Sequence, residues 1–378
     1  MAATAAKLPS ASSANATAST ALIRITQLRD ALASLAPHSS DSSSGITLAQ
    51  AARDLADANL LNLPLPGQGD TSLRMRLLLE IGAHDLALAR LIEAHTDAVA
   101  ILSEAGLPIN DDSNTSRAPL YGVWAARHPE APLNAQPLNE SGAWRLNGLL
   151  PYCTGATLID RALIVAAHDK EQLLFTVNLR DLTTELKTQW YCAGMNRVPA
   201  STLTFTDFVI TRPQAVVEPG FYLQRRGFWC GAIGVAACWL GGAVGLLRKW
   251  FLLARKKAPN PHAVAHLGAS TAAVDGAVAY LLHAATMIDD PTLSADDLRP
   301  LALSVRHVIE QVCTNVMTTL GRALGPGPMI MDQSLATQLA DLSIYIRQSH
   351  AERDLEALGQ QLISDDPASQ SARWPWLL

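Results

Sequence analysis

"GFWCGAIGVAACWLGGAVGLLRK", residues 227–249, decides how the rest of the chain is read. Its first 21 residues carry no charge; Arg225 and Arg226 precede it, and Arg248 and Lys249 end it. About 20 apolar residues suffice to span a bilayer, so length alone admits a membrane anchor. Composition argues against one. Gly227, Gly231, Gly234, Gly241, Gly242 and Gly245 each lower hydrophobicity and helix propensity. The four-residue spacings Gly227/Gly231 and Gly241/Gly245 let a neighbouring helix come close, although membrane dimers share that spacing. Patterns of folded soluble structure lie on both sides. The stretch is therefore read as the central helix of a soluble bundle, with no membrane insertion.

Outward from it, helical periodicity continues to the C-terminal region. Four segments, 227–256, 260–289, 294–322 and 332–362, are separated by "KKAPNP", "DDPTLSADD" and "GPGPM". Each break holds the Pro or Asp expected at a helix boundary. Four long helices with short connections predict a four-helix bundle over 221–362, followed by a tail at 363–378.

Upstream the period is two. "LYGVWAA", "AWRLNG", "RALIVAAH", "QLLFTVNL", "ELKTQWY" and "STLTFTDFVI" are short runs rich in Val, Ile, Thr and aromatics, parted by turn residues. They predict an antiparallel β-barrel or sandwich over 118–220, closed by Pro213 and Pro219–Gly220. Before it, "ALIRITQLRDALASLA" (21–36), "TLAQAARDLADANLL" (47–61) and residues 71–106 have helical spacing, the last with a break expected at Gly82. They form an N-terminal α-domain over 21–117. The Ala/Ser/Thr-rich start, 1–20, reads as a disordered tail and carries no secretory pattern.

The totals agree with a multi-domain globular chain: 378 residues, 49% apolar, 17% charged, net charge −5. No basic field points to nucleic acid. Five scattered cysteines without a CxxC pair suit buried thiols in a reducing compartment, and a cytoplasmic location is expected.

Local motifs name no chemistry by themselves. His262 and His266 in "HAVAH" are i, i+4 but lack the Glu of HExxH and a third ligand, so no metal site is expected. In "QSHAERD" (348–354), read as helix, Ser349 and His350 point apart and form no nucleophile–base pair, while His350 reaches Asp354 at i+4. Arg90 and Glu93 are expected to pair at a surface or between domains. "GPGP" (325–328) follows a helix, so it is neither a Rossmann nor a P-loop turn.

The domain order and two strings together resemble the acyl-CoA dehydrogenase family of flavoproteins. "AWRLNGLLPYCTGATLIDRALIVA" (143–166) is similar to that family's "W.LNG.K.WITN...AD..LV.A", and "WYCAGMNRVPASTLTFTDFVI" (190–210) to its "LGMR.S.T..L.F.DV.V". The resemblance covers roughly residues 45–362 and implies a fold of α-domain, β-barrel and four-helix bundle. It implies FAD as cofactor. Thr154 then takes the position of the threonine near flavin N5, Tyr152 that of the aromatic against the ring, with Gly155 beside them. Trp124 falls where a further contact loop begins. Gly325 and Gly327, preceded by Arg322, look like remnants of a glycine turn that approaches the cofactor's adenosine end across a subunit interface. A homodimer or homotetramer is implied, acting on a small molecule such as an acyl-CoA.

The chain departs from the family at the base. Removing a Cα proton while a hydride leaves Cβ needs a carboxylate within reach. Spacing puts Ser349 at that position; a second family branch carries its acid on the first bundle helix, near Gly231 here. Ser349, His350 and Glu352 are the nearby candidates. Three functions follow: oxidation of the CH–CH group of an acyl thioester, a flavin-dependent monooxygenation that needs no such base, or a non-catalytic binding role.

Overall fold

The structure, a computed structural model, describes residues 11–35, 44–109, 119–138, 142–182, 186–210, 219–256 and 260–364. Its N-terminal helices are α1 (Ala11–Ser34), α2 (Ser44–Asp57), α3 (Thr71–His84) and α4 (Leu86–Glu104). The start of α1 lies inside the stretch expected as a tail, and the C-terminal tail beyond 364 lies outside the described residues. The long helix expected over 71–106 does break, but at Asp85. The Asp85 carboxylate accepts the Leu88 amide at 2.9 Å and so starts α4. Gly82 stays inside α3, where a Cβ would collide with the Cys238 carbonyl. The glycine marks a helix crossing, and the acidic cap marks the break.

Seven strands follow: β1 (Tyr121–Trp124), β2 (Asn134–Pro137), β3 (Trp144–Thr154), β4 (Arg161–His168), β5 (Glu171–Asn178), β6 (Leu186–Lys187) and β7 (Ala200–Ile210). They make one curled sheet in which β3 pairs antiparallel with β2 and β7, β7 with β6, and β4 with β5. Two pairings depart from the antiparallel plan, because β1 and β2 both run parallel to β4. The long expected strand "ELKTQWY" contributes only Leu186–Lys187. Strand β2, "NAQP", lacks β-branched residues and was not expected. Pro213 lies outside the described residues.

The C-terminal part holds α5 (Phe221–Gln224), α6 (Gly227–Lys256), α7 (Pro261–Ile288), α8 (Ala295–Leu324), α9 (Pro326–Met331), α10 (Gln333–Tyr345) and α11 (Glu352–Ser364). The quoted stretch is most of α6, and it is the central helix: its most apolar 18-residue window is 72% buried. Its partners are α3, α8, α4 and α7. The close approach expected at Gly241 and Gly245 is made, since a Cβ at either would strike the backbone carbonyls of Leu79 and Ala83 in α3. Helix α7 is also long and apolar, yet its window is only 33% buried. The fourth bundle helix is not continuous. A 3₁₀ turn at Ile346–Gln348 ends α10, Ser349 is extended, and Ala351 takes a left-handed φ of 46° before α11 starts. Nothing in "SIYIRQSHAERD" announces that break, which lacks both Gly and Pro.

Candidate functional site

The break at 346–351 changes the chemistry available to Ser349 and His350. They are not neighbours on a helix. The Ser349 hydroxyl accepts the Ala351 amide at 3.3 Å, and its own amide donates to the Ile346 carbonyl. His350 is exposed; its amide and Nδ1 both meet the Asp354 carboxylate, at 3.3 and 3.2 Å. The expected His350–Asp354 contact therefore exists, and it closes the first turn of α11. Glu352 is exposed. Asp354, half-buried, is the carboxylate of this turn that His350 engages.

Behind the turn sits a buried cation. Arg306 of α8 is 8% exposed and donates from NH1 to the Ala232 carbonyl at 2.8 Å and from NH2 to the Gln348 carbonyl at 2.9 Å. Its guanidinium lies 4.6 Å from the ring centroid of Trp239, a stacking that suits arginine. Burial lowers its pKa, and the Asp354 and Glu93 charges only partly offset this. Beside it, Glu93 pairs with Arg90 at 2.6 Å and accepts the Tyr345 hydroxyl at 3.4 Å. This pair, expected at a surface or between domains, is largely buried. Burial pushes the Glu93 carboxyl upward, against the pull of Arg90. Arg90 Nε and Trp239 Nε1 are buried here without a hydrogen-bond partner.

The α6 position near Gly231 lacks an acid of its own, but α4 brings one to it. Oδ1 of Asp97 lies 2.7 Å from where a Cβ on Gly231 would stand. Asp97 is 16% exposed, with Arg225 NH2 at 3.9 Å. Sequence reading passed over Asp97 because its neighbour on α6 is more than a hundred residues away.

At the sheet, β3 ends in a bulge between Leu150 and Cys153. The bulge turns Tyr152 outward, at φ 58° and 73% exposure. A non-glycine residue in this region stores strain that its surroundings must hold in place. Thr154 follows, half-buried, its hydroxyl donating to the Tyr152 carbonyl at 3.4 Å. Gly155 has φ 71°. Trp124 is not on this outer face: it is 3% exposed and its indole NH donates to the Thr154 carbonyl at 3.1 Å. It supports the turn from beneath. Thr154 pairs with Ala200 at the start of β7, and in the loop between β6 and β7 Tyr191 is 92% exposed. Gly325, φ 67°, links α8 to α9; Arg322 and Gly327 near it are exposed and touch nothing that fixes a role. His262 is exposed, His266 is half-buried, and no three His, Cys, Asp or Glu of the described residues cluster as metal ligands.

One knot fixes sheet, α-domain and bundle together. Arg197, in the loop before β7, reaches both oxygens of Asp85 at 2.7 and 2.9 Å and Asp341 of α10 at 3.4 Å. Asp341 also accepts the Met195 amide. All three charged side chains are nearly inaccessible. Burial raises the Asp341 carboxyl, opposed by that amide and by Arg197. A cavity of about 830 Å³ opens alongside.

No family model matches the chain, and no curated protein does. Solved structures match over nearly its whole length. Butyryl-CoA dehydrogenase from Megasphaera elsdenii superposes with a TM-score of 0.75 at 16% identity, covering 91% of this chain and 98% of that one. A flavoprotein nitroalkane oxidase gives 0.77 at 13% identity, covering 98% and 100%. The dibenzothiophene monooxygenase of a Paenibacillus species gives 0.70 at 15% identity, covering 91% and 97%; the same enzyme has been crystallised with FMN and indole. The chain has the acyl-CoA dehydrogenase fold. At these identities the likeness shows fold alone.

Proposed function

We propose that this chain is a flavin-dependent oxidoreductase of the monooxygenase kind, working with O2 and a flavin supplied in reduced form. The observation that carries the reading is the turn after α10. By the spacing of the resemblance Ser349 would take the position of a dehydrogenase's carboxylate, and the nearest carboxylate of the turn, Asp354, is engaged by His350. A hydroxyl is far too weak an acid to serve as a base near neutral pH. Oxygenation needs no proton taken from carbon.

The residues present suit the planar ring of a flavin. A strained backbone holds Tyr152 out of the sheet, and Thr154 offers a hydroxyl at the strand end. Tyr152 would cover the ring and exclude water, Thr154 would hydrogen-bond its polar edge, and Trp124 would hold the turn in place. The glycine turn at Gly325, with Gly327 behind it, would meet the adenosine end of FAD from a second copy of the chain. FMN and FAD both remain compatible. When bound, the reduced flavin supplies two electrons, with which one atom of O2 enters the substrate and the other leaves as water. The buried Arg306 cation, one carbonyl behind Ser349, favours electron-rich groups placed at the turn.

Asp97 supports a second reading. Its carboxylate beside Gly231 could take the Cα proton of an acyl thioester, which would make the chain a dehydrogenase with its base on α4. One experiment separates the two. The protein is loaded with FMN or FAD and mixed anaerobically with butyryl-CoA; separately, it is given reduced flavin, O2 and indole or dibenzothiophene. Oxygenated product that depends on the protein, with no anaerobic bleaching, supports the monooxygenase. Bleaching by butyryl-CoA that Asp97→Asn abolishes supports the dehydrogenase and overturns the first reading. Failure to bind either flavin removes both and leaves the binding role.

A further inference from the structure

Independently of the flavin site, α1, α3, α6 and α7 enclose a cavity of about 420 Å³, a volume ordinary for small-molecule sites. Its floor is aliphatic: Leu79, Val274 and Leu281 are buried, and Val244, Leu247 and Val278 are half-buried. Its walls bear charge of both signs in unequal number. Arg29, Arg76 and Arg248 come from three helices, against Glu80 and Asp275. Glu80 is 6% exposed and already engaged twice, accepting from Arg248 at 2.9 and 3.0 Å and from Arg29. Arg76 is exposed and makes no ion pair or hydrogen bond among the described residues. Half-exposed Phe251 adds an aromatic edge, with the Arg255 guanidinium 5.7 Å from its centroid. The space is thus an apolar slot with surplus positive charge.

We propose that this cavity binds an anionic amphiphile, a medium-chain carboxylate, with its hydrocarbon tail on the α6–α7 floor and its carboxylate at Arg76. A water-filled slot would leave the aliphatic floor solvated, a cost that an acyl tail relieves. An anion answers the one guanidinium that Glu80 does not hold, and a cationic amphiphile would meet a wall on which the three guanidiniums outnumber the carboxylates of Glu80 and Asp275.

Isothermal titration of the full chain with hexanoate, octanoate and decanoate, each below its micelle concentration, tests this. Affinity should tighten by about fourfold per methylene that reaches the floor, the factor for burying one CH₂. Decyltrimethylammonium should bind at least tenfold more weakly than decanoate. Arg76→Glu, on the exposed rim, should lose at least tenfold, and Val278→Trp should fill the slot and abolish uptake; unchanged circular dichroism melts would show that both variants fold. No saturable binding, equal binding of the cationic probe, or undiminished binding in Val278→Trp would overturn the proposal. So would an assembly that dissociates in Val278→Trp without any decanoate uptake by wild type, which would assign this face to a second copy of the chain.

Discussion

Helix α10 ends in two regions only eight residues apart that could hardly differ more. At Asp341 the charges are buried and paired: Arg197 spans Asp85 and Asp341, and the Met195 amide donates to Asp341, with only Arg197 Nε left without a partner among the described residues. At Ser349 the backbone has left the helix, the hydroxyl meets only a nearby amide, and His350 faces water. The first region ties sheet, α-domain and bundle together; the second leaves a side chain on a turn between two helices. The same helix thus joins a dry, closed ionic contact to a loosely held turn within eight residues.

The contrast can be broken by mutation, most forcefully at the knot. Arg197→Met leaves two buried carboxylates facing each other and should cost about 3–5 kcal/mol, read as a lower midpoint in equilibrium denaturation. A loss below about 1 kcal/mol would mean that the knot is wetter than its geometry suggests. Next is Gly241→Ala, whose methyl meets the Leu79 carbonyl; overpacking of about 1–3 kcal/mol should outweigh the gain in helix propensity of about 1 kcal/mol. Net stabilisation would show α3 and α6 free to separate.

Acidity sharpens the comparison at a third buried carboxylate. Burial pushes the Glu80 carboxyl up, but Arg29 and Arg248 outweigh it and hold it below its ordinary value. Such a group stabilises the fold above its unfolded pKa and loses that contribution as pH falls through the depressed folded one. Glu80→Gln should be less stable than wild type at neutral pH, with the gap closing below about pH 4. A pH-independent gap would assign the loss to packing instead of charge.

Around the presumed chemistry, stability and function should move in different directions. Tyr152→Gly relieves a left-handed tyrosine and should raise stability by about 1 kcal/mol, while weakening flavin binding at least tenfold in an absorbance titration. Loss of both would make Tyr152 structural. Asp354→Ala removes the cap from α11 and should cost about 1 kcal/mol. Ser349→Ala should change stability by less than about 0.5 kcal/mol, and a larger drop would show the turn to be as constrained as the knot.

Much of this architecture was legible in the chain. The order of helical, two-period and helical patterns matches the order of helices and strands, and the glycine spacing in α6 foretold a close helix approach, which α3 makes. Failures share a cause: the deciding partner was distant or the signal was silent. Gly82 resembled a stop because nothing local showed Cys238 across the crossing. Asp97 meets Gly231 only after folding, and Arg197 finds Asp85 and Asp341 at separations of 112 and 144 residues. The break after α10 has no Gly or Pro; it is held by Arg306 on the Gln348 carbonyl, a contact from another helix. Parallel pairing of β1 with β4 has no local signature either. The sheet was visible strand by strand, and its order was not.

The knot at Arg197 also bears on how the chain can be cut. A guanidinium from the sheet region, the cap of an N-terminal helix and a carboxylate from the bundle share one dry contact. A cut between Asp85 and Arg197 strands the Asp85 carboxylate, and one between Arg197 and Asp341 strands that of Asp341. The three domains are thus modules in appearance but a single heritable unit: recombination at their borders, separate expression or transplantation of the bundle would each inherit an unanswered ion. A protease acting on the native protein should accordingly nick its loops without releasing a fragment that stands alone.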